Sequence, residues 1–141
     1  ELDKDSEILV PANTWISTAE AVLNNNFNIK FVDVDETHNI SIEDLKKKIS
    51  KKTKALIVVH LFGNPANVNE ILKLKKKYNF KVIEDCAQAH GAEFTRCTVF
   101  DDELRELSFF QFISHSFCCS CSSKLASCIL TCFDNLATGA R

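Results

Sequence analysis

The stretch Val82-Ile83-Glu84-Asp85-Cys86-Ala87-Gln88-Ala89-His90-Gly91 passes from an apolar run into two carboxylates, a thiol, an amide and an imidazole. An acid at the last position of a buried strand points into the crevice where α/β sheets hold ligands, and burying its charge is costly unless a cation or hydrogen-bond donors accompany it. Asp85 therefore calls for a positive partner. A protonated pyridine nitrogen meets that need, because the ring of pyridoxal phosphate works as an electron sink only while that nitrogen keeps its proton, and an Asp is its usual partner. The plain alternative is a strand-end Asp that caps a turn. Gln88 can donate an amide hydrogen to an oxygen substituent of the ring if the chain curls back after the strand. His90 and Gly91 would then give a close approach of backbone to cofactor. Trp15, just past another apolar run, offers an indole able to stack on a flat heteroaromatic ring, or to sit at the edge of a core.

Such groups meet only if several strands end on one edge. EILVP (7–11) is a short apolar run closed by Pro, and STAEAVLNN (17–25) is rich in helix formers, with Ser17 and Glu20 at capping-box spacing. IKFVDVD (29–35) is β-branched and aromatic, and SIEDLKKKI (41–49) puts Ile42, Leu45 and Ile49 on one helical face behind a Ser41/Asp44 capping pair. KALIVVH (54–60) is a continuous apolar run of the kind found in strands buried on both faces. After the LFGNPAN loop, VNEILKLKKKYN (68–79) carries a stripe of Val68, Ile71, Leu72 and either Leu74 or Tyr78, with Asn67 as N-cap. FKVIED (80–85) closes the series. This alternation predicts an α/β fold, a mainly parallel sheet with flanking helices. Further on, ELSFFQF (106–112) and ASCILTCF (126–133) read as strands and DNLATGAR as a helix start, whereas FISHSFCCSCSSK (112–124) has no helical period.

The 141 residues have the length of one domain. A net charge of -2 and a pI near 6.1 leave no electrostatic footprint for nucleic acid. No apolar run approaches the ~20 residues that a membrane helix requires. The expected location is cytoplasmic, with neither nucleic acid nor membrane as partner. The start at Glu1 and the lack of Met suggest a piece of a longer product. Composition breaks near residue 94: thirteen of the fourteen Lys precede it and six of the seven Cys follow it. An odd Cys count disfavours a secreted disulfide scaffold. Cys119 and Cys121, with Cys128 and Cys132, depart from the paired spacing of structural zinc sites, so no metal is expected.

Four segments, ILVPANTWISTAEAV, FVDVDETHNIS, KTKALIVVHLFGNPANV and KVIEDCAQAHGAEF, follow one another between about residues 6 and 94. In content, order and spacing they resemble the DegT/DnrJ/EryC1/StrS family of pyridoxal phosphate-dependent sugar aminotransferases. The resemblance implies an aspartate-aminotransferase-type large domain (PLP fold type I) and a homodimer. It also implies transfer of an amino group, commonly from glutamate, to a nucleotide-linked ketosugar, for polysaccharide or amino-sugar biosynthesis. By position, Trp15 is the ring-stacking residue, Asp85 the pyridinium partner and Gln88 a contact to the ring face or its oxygen. Residues 1–94 would form a partial cofactor-binding large domain and 95–141 a poorly matched continuation of it.

Ser108-Phe109-Phe110 resembles the family strand whose Ser holds the cofactor phosphate. The lysine that tethers the cofactor is expected five residues after that Ser, where Ile113 stands, and Ile113 cannot make the covalent link. Lys124 is the only Lys in the tail, and it takes the role if the intervening residues loop out. SCILT and DNLATGAR resemble the family again, so the stretch between reads as a shifted reading frame, which sequencing the locus would test. The family's upstream Gly-Ser/Thr phosphate loop is not in this chain.

Two rival readings stand beside this one. The first is a catalytically inactive truncated or frameshifted form that keeps part of the large domain. The second rests on Asp33-Val34-Asp35, a D-x-D pattern with which glycosyltransferases hold a divalent cation against a nucleotide-sugar diphosphate. On a strand the two acids would face one side; the ordinary explanation is a solvated strand end. His60 is expected to be a hydrogen-bonded structural residue, and the lysine runs at 46–54 and 73–77 to be solvated helix faces.

Overall fold

The computed structural model describes residues 2–3 and 5–89. The readings placed on His90, Gly91, Ser108, Lys124, the strands at 106–112 and 126–133 and the 95–141 continuation lie outside the described residues.

Each apolar run becomes a strand: β1 Glu7–Pro11, β2 Asn28–Val32, β3 Thr53–Val59 and β4 Lys81–Asp85. Between them lie α1 Ile16–Asn24, α2 Ile42–Lys48 and α3 Val68–Tyr78, with a 3-10 turn at Leu61–Gly63. These four strands pair in parallel, in the order β2-β1-β3-β4. β3 is buried along almost its whole length, with only Lys54 exposed, as its unbroken apolar sequence requires.

Alternation along the strands sorts side chains onto two faces. Leu56, Val58 and Val82 pack with Leu45 of α2 and with Val68, Ile71 and Leu74 of α3. Ile57, Val59 and Ile83 pack with Ala21 and Val22 of α1. Leu74 thus completes the α3 stripe, and Tyr78 stays exposed. The β1–β2 crossover lies on one face and the two later crossovers on the other. The chain therefore reverses its winding direction between β1 and β3, the place where ligands of open parallel sheets enter, outside the carboxyl ends of the strands.

The helix ends bear out two sequence signals and correct a third. Ser41 caps α2 by accepting the Asp44 N–H at 3.3 Å, and Asn67 caps α3 by accepting the Glu70 N–H at 3.3 Å. The α3 chain ends on Asn79 in the left-handed conformation, a common helix stop. Ser17, read as the start of α1, instead sits inside it: the extended Trp15 is the N-cap, no side chain caps it, and the Ser17 hydroxyl is buried without a hydrogen-bond partner. Burial of the helix's second residue against the sheet overrode the local capping pattern.

Candidate active site at the carboxyl edge

Asp85 ends β4 on the α1 face, level with Val59 of β3. It is only 3% exposed. Its Oδ1 accepts the Ala87 N–H at 3.0 Å, and Ala89 N–H reaches the Cys86 carbonyl at 3.0 Å, so the chain curls at once after the strand. Burial raises the Asp85 pKa above the usual carboxylate value, opposed by the Ala87 hydrogen bond and by nearby His60. Among the described residues, Glu7–Lys30, Asp44–Lys48 and Glu70–Lys73 form ion pairs and Glu84 faces His60, and Asp85 belongs to none of these. A buried acid set at a ligand-facing edge and held above its normal pKa fits a cationic ring nitrogen, which would restore its charge.

Trp15 stands at the carboxyl end of β1 as the N-cap of α1, 60% exposed. One strand, β3, separates β1 from β4, which puts the two strand ends roughly 10 Å apart at the usual ~4.8 Å strand spacing. An exposed indole and a buried acid on one sheet edge suit a flat, charged heteroaromatic between them.

Gln88 lies in the curl after β4, exposed, and its Oε1 accepts the Phe62 N–H at 2.7 Å. The amide oxygen is therefore engaged with the protein, which leaves the amide nitrogen as the end able to donate elsewhere. Phe62 itself is missed by sequence reading. It occupies left-handed backbone space (φ 58, ψ 21) in the 3-10 turn, and its side chain is 71% exposed. The following Gly63 has φ 78, and a Cβ there would come within 3.2 Å of the Gln88 carbonyl, so glycine permits the contact between the two loops. The L-F-G-N-P composition was the only signal of a special turn.

The opposite face holds a buried trio. His60, Glu84 and Cys86 bring their donor atoms within 4.8 Å of one another. His60 is structural, as expected: its Nδ1 accepts the Ala66 N–H at 3.0 Å, which ties down the loop before α3. With the Nδ1 lone pair so used, the neutral ring carries its proton on Nε2, which faces Glu84 Oε1 at 3.4 Å. The Cys86 thiol is pushed up to about 12 by burial and by the charges of Glu84 and Asp85. The Nδ1 lone pair is thus spent on the Ala66 N–H, and burial favours the protonated form of the thiol.

The D-x-D geometry is corrected. β2 stops at Val32, so Asp33 and Asp35 lie in the following loop rather than side by side on a strand. Asp33 Oδ1 accepts the Val34 N–H, and Asp35 Oδ1 accepts the Thr37 N–H and hydroxyl. Both carboxylates shape the turn that leads into α2. Of the lysines, Lys48 departs from a purely solvated role by reaching the Phe31 carbonyl at 2.8 Å and Asp44 at 2.9 Å.

Fold and edge together define a segment of the α/β large domain found in pyridoxal phosphate enzymes of fold type I. The chain belongs to the DegT/DnrJ/EryC1/StrS aminotransferase family, whose model matches residues 1–116. The match runs past residue 94 to include Ser108 and stops before Lys124. A dTDP-3-amino-3,6-dideoxy-alpha-D-galactopyranose transaminase of Aneurinibacillus thermoaerophilus is 46% identical over 87 residues, which are 61% of this chain and 24% of that protein. The structure of an aminotransferase from Psychrobacter cryohalolentis superposes with a TM-score of 0.66 at 39% identity, covering 70% of this chain and 25% of that one. A GDP-4-keto-6-deoxymannose-3-dehydratase with a trapped PLP-glutamate geminal diamine gives 0.65 at 39% identity, covering 69% and 26%. The chain thus spans about a quarter of the length of the relatives it matches. Among the described residues no helix is long and apolar enough to cross a membrane.

Proposed function

We propose that the protein works as a pyridoxal phosphate-dependent aminotransferase, moving an amino group from glutamate to a nucleotide-linked ketosugar in the cytoplasm as part of a homodimer. The observation that carries this reading is Asp85, a carboxylate 3% exposed at the carboxyl end of a parallel strand, with a raised pKa. The family supports the cofactor class, and the relatives' nucleotide-sugar chemistry supports the substrate class.

Pyridoxal phosphate, when bound, supplies an electron sink for bond changes at the amino-bearing carbon, provided its ring nitrogen is protonated. Asp85 is the residue that holds that proton. Its ionised form would be stabilised by the ring's positive charge, and low exposure strengthens the pairing. Trp15 covers one ring face and keeps water from it. Gln88 donates from its amide nitrogen to a ring oxygen. Ser108 is assigned to the phosphate and Lys124 to the covalent tether and to proton transfer at the reacting carbon.

The test uses two separate samples: one holds the chain with pyridoxal phosphate and glutamate and is followed for 2-oxoglutarate release, and the other holds the chain with pyridoxal phosphate alone and is reduced with borohydride so that the adduct can be located by peptide mass. Release of 2-oxoglutarate and a single adduct on Lys124 are expected. Adducts scattered over surface lysines, with no 2-oxoglutarate, would instead support the inactive form suggested by Ile113 at the expected lysine position.

A further inference from the structure

The loops that follow β2, β3 and β4 are tied together by side chains to which neither the fold nor the proposed chemistry has assigned a task. Asn39 is 3% exposed. Its Oδ1 accepts the Leu61 N–H at 3.3 Å and its Nδ2 donates to the Asn64 carbonyl at 3.0 Å, so one amide grips both ends of the Leu61–Gly63 turn. Asn64 Nδ2 returns a bond to the Thr37 carbonyl at 3.4 Å. The His38 ring meets the Phe62 ring edge-on, with centroids 5.8 Å apart. Both aromatics have positive φ, 64° at His38 and 58° at Phe62, a conformation that bulky residues adopt only where surrounding contacts impose it.

The imposed backbone has one visible result: the Phe62 N–H faces Gln88 Oε1 at 2.7 Å. A backbone N–H bonds only the oxygen of an amide, so the orientation of Gln88 is fixed by its partner. The geometry points to Asn39 as a positioning residue that, through the turn it grips, sets the Gln88 amide with its nitrogen toward the ligand. The ligand atom so selected is a hydrogen-bond acceptor, such as the oxygen substituent of the ring. The identity of that ligand rests on the proposed function; the latch from Asn39 to Gln88 does not. Gly63, whose absent Cβ leaves room for the Gln88 carbonyl, lets the two loops close to this distance. A relay of this kind matters because small displacements of a contacting group cost disproportionately in catalysis.

The test uses the 141-residue chain and two readouts. Amide hydrogen exchange, resolved by nitrogen-15 NMR, follows Phe62, with Leu9 of β1 and Ile57 of β3, the central strands, as references. Fluorescence of Trp15, the single tryptophan, follows titration with pyridoxal 5'-phosphate. Asn39→Ala is expected to speed Phe62 exchange about tenfold without moving the reference amides, as loss of a hydrogen-bonded grip should. Gln88→Ala, at an exposed position where unfolding is not a concern, is expected to do the same. Gln88→Glu keeps the accepting oxygen and lacks the amide hydrogens. It should preserve Phe62 protection while weakening the titration about tenfold.

Unchanged Phe62 exchange in Gln88→Ala, or in a folded Asn39→Ala, overturns the latch. Binding by Gln88→Glu equal to that of the original chain overturns the assignment of the nitrogen to the ligand. If the exchange pattern holds but the original chain shows no response to pyridoxal 5'-phosphate, the latch is supported and the proposed function fails.

Discussion

Replacing Asp85 by Asn should stabilise the chain in the absence of cofactor while weakening its hold on the cofactor. Asn has nearly the same shape, and its Oδ1 can keep the Ala87 N–H bond seen at 3.0 Å. What disappears is a carboxylate that is only 3% exposed and whose ionisation is opposed chiefly by burial. Relief of such a charge is worth on the order of 1–3 kcal/mol at neutral pH. For a chain of 141 residues that corresponds to about 4 °C in Tm per kcal/mol. The sign with pH follows from linkage. A carboxyl whose folded pKa lies above its unfolded value of 3.8 binds more protons when folded, so between those two values stability falls as pH rises. The Asp85→Asn variant lacks that fall. Its advantage should be full at about pH 7.5 and shrink toward zero as pH drops toward 3.8. Thermal unfolding of both chains across this range, without cofactor, reads the effect directly. A variant less stable than the original at the upper end of the range, or an advantage that does not depend on pH, would refute the reasoning.

Other consequences can be checked separately. Gly63→Ala meets both a φ of 78° and a 3.2 Å approach to the Gln88 carbonyl, so it should cost about 1–3 kcal/mol by urea unfolding and speed exchange at the Phe62 amide; a neutral effect would contradict the tight loop contact. Leu56→Ala, at a fully buried site in β3, should cost about 2–5 kcal/mol by the same assay, and a loss under about 1 kcal/mol would mean that β3 is not central. Cys86, with its thiol pushed up to about 12, should resist iodoacetamide at about pH 8 in the folded chain and react in urea; native labelling at the rate of an ordinary thiol would show that the thiol is not held protonated.

The strands were legible because each is a short apolar run bounded by polar or turn residues, and burial on both faces leaves no other use for a sequence such as Leu56-Ile57-Val58-Val59. The place of Asp85 was legible for the same reason, since an acid directly after such a run must sit at its end. Ser17 was misread because the S-x-x-E pattern is local, whereas the start of α1 is decided by packing of its first turn on the sheet. Asp33 and Asp35 were assigned to one face of a strand because alternation does not reveal where a strand stops. Asn39 and Phe62 were not legible as site residues at all. Asn39 finds its partners 22 and 25 positions away, at Leu61 and Asn64, and Phe62 meets Gln88 26 positions away. Such contacts exist only once the strand order has brought three loops to one edge.

The most direct measurement of the central claim is nitrogen-15 NMR of pyridoxal 5'-phosphate labelled at the ring nitrogen and bound to the chain at mildly alkaline pH. With Asp85 as its partner, the nitrogen should carry the shift of a protonated pyridine, and that shift should revert to the free-base value in the Asp85→Asn variant. A free-base shift in the original chain, or a protonated one that survives the substitution, would contradict the account.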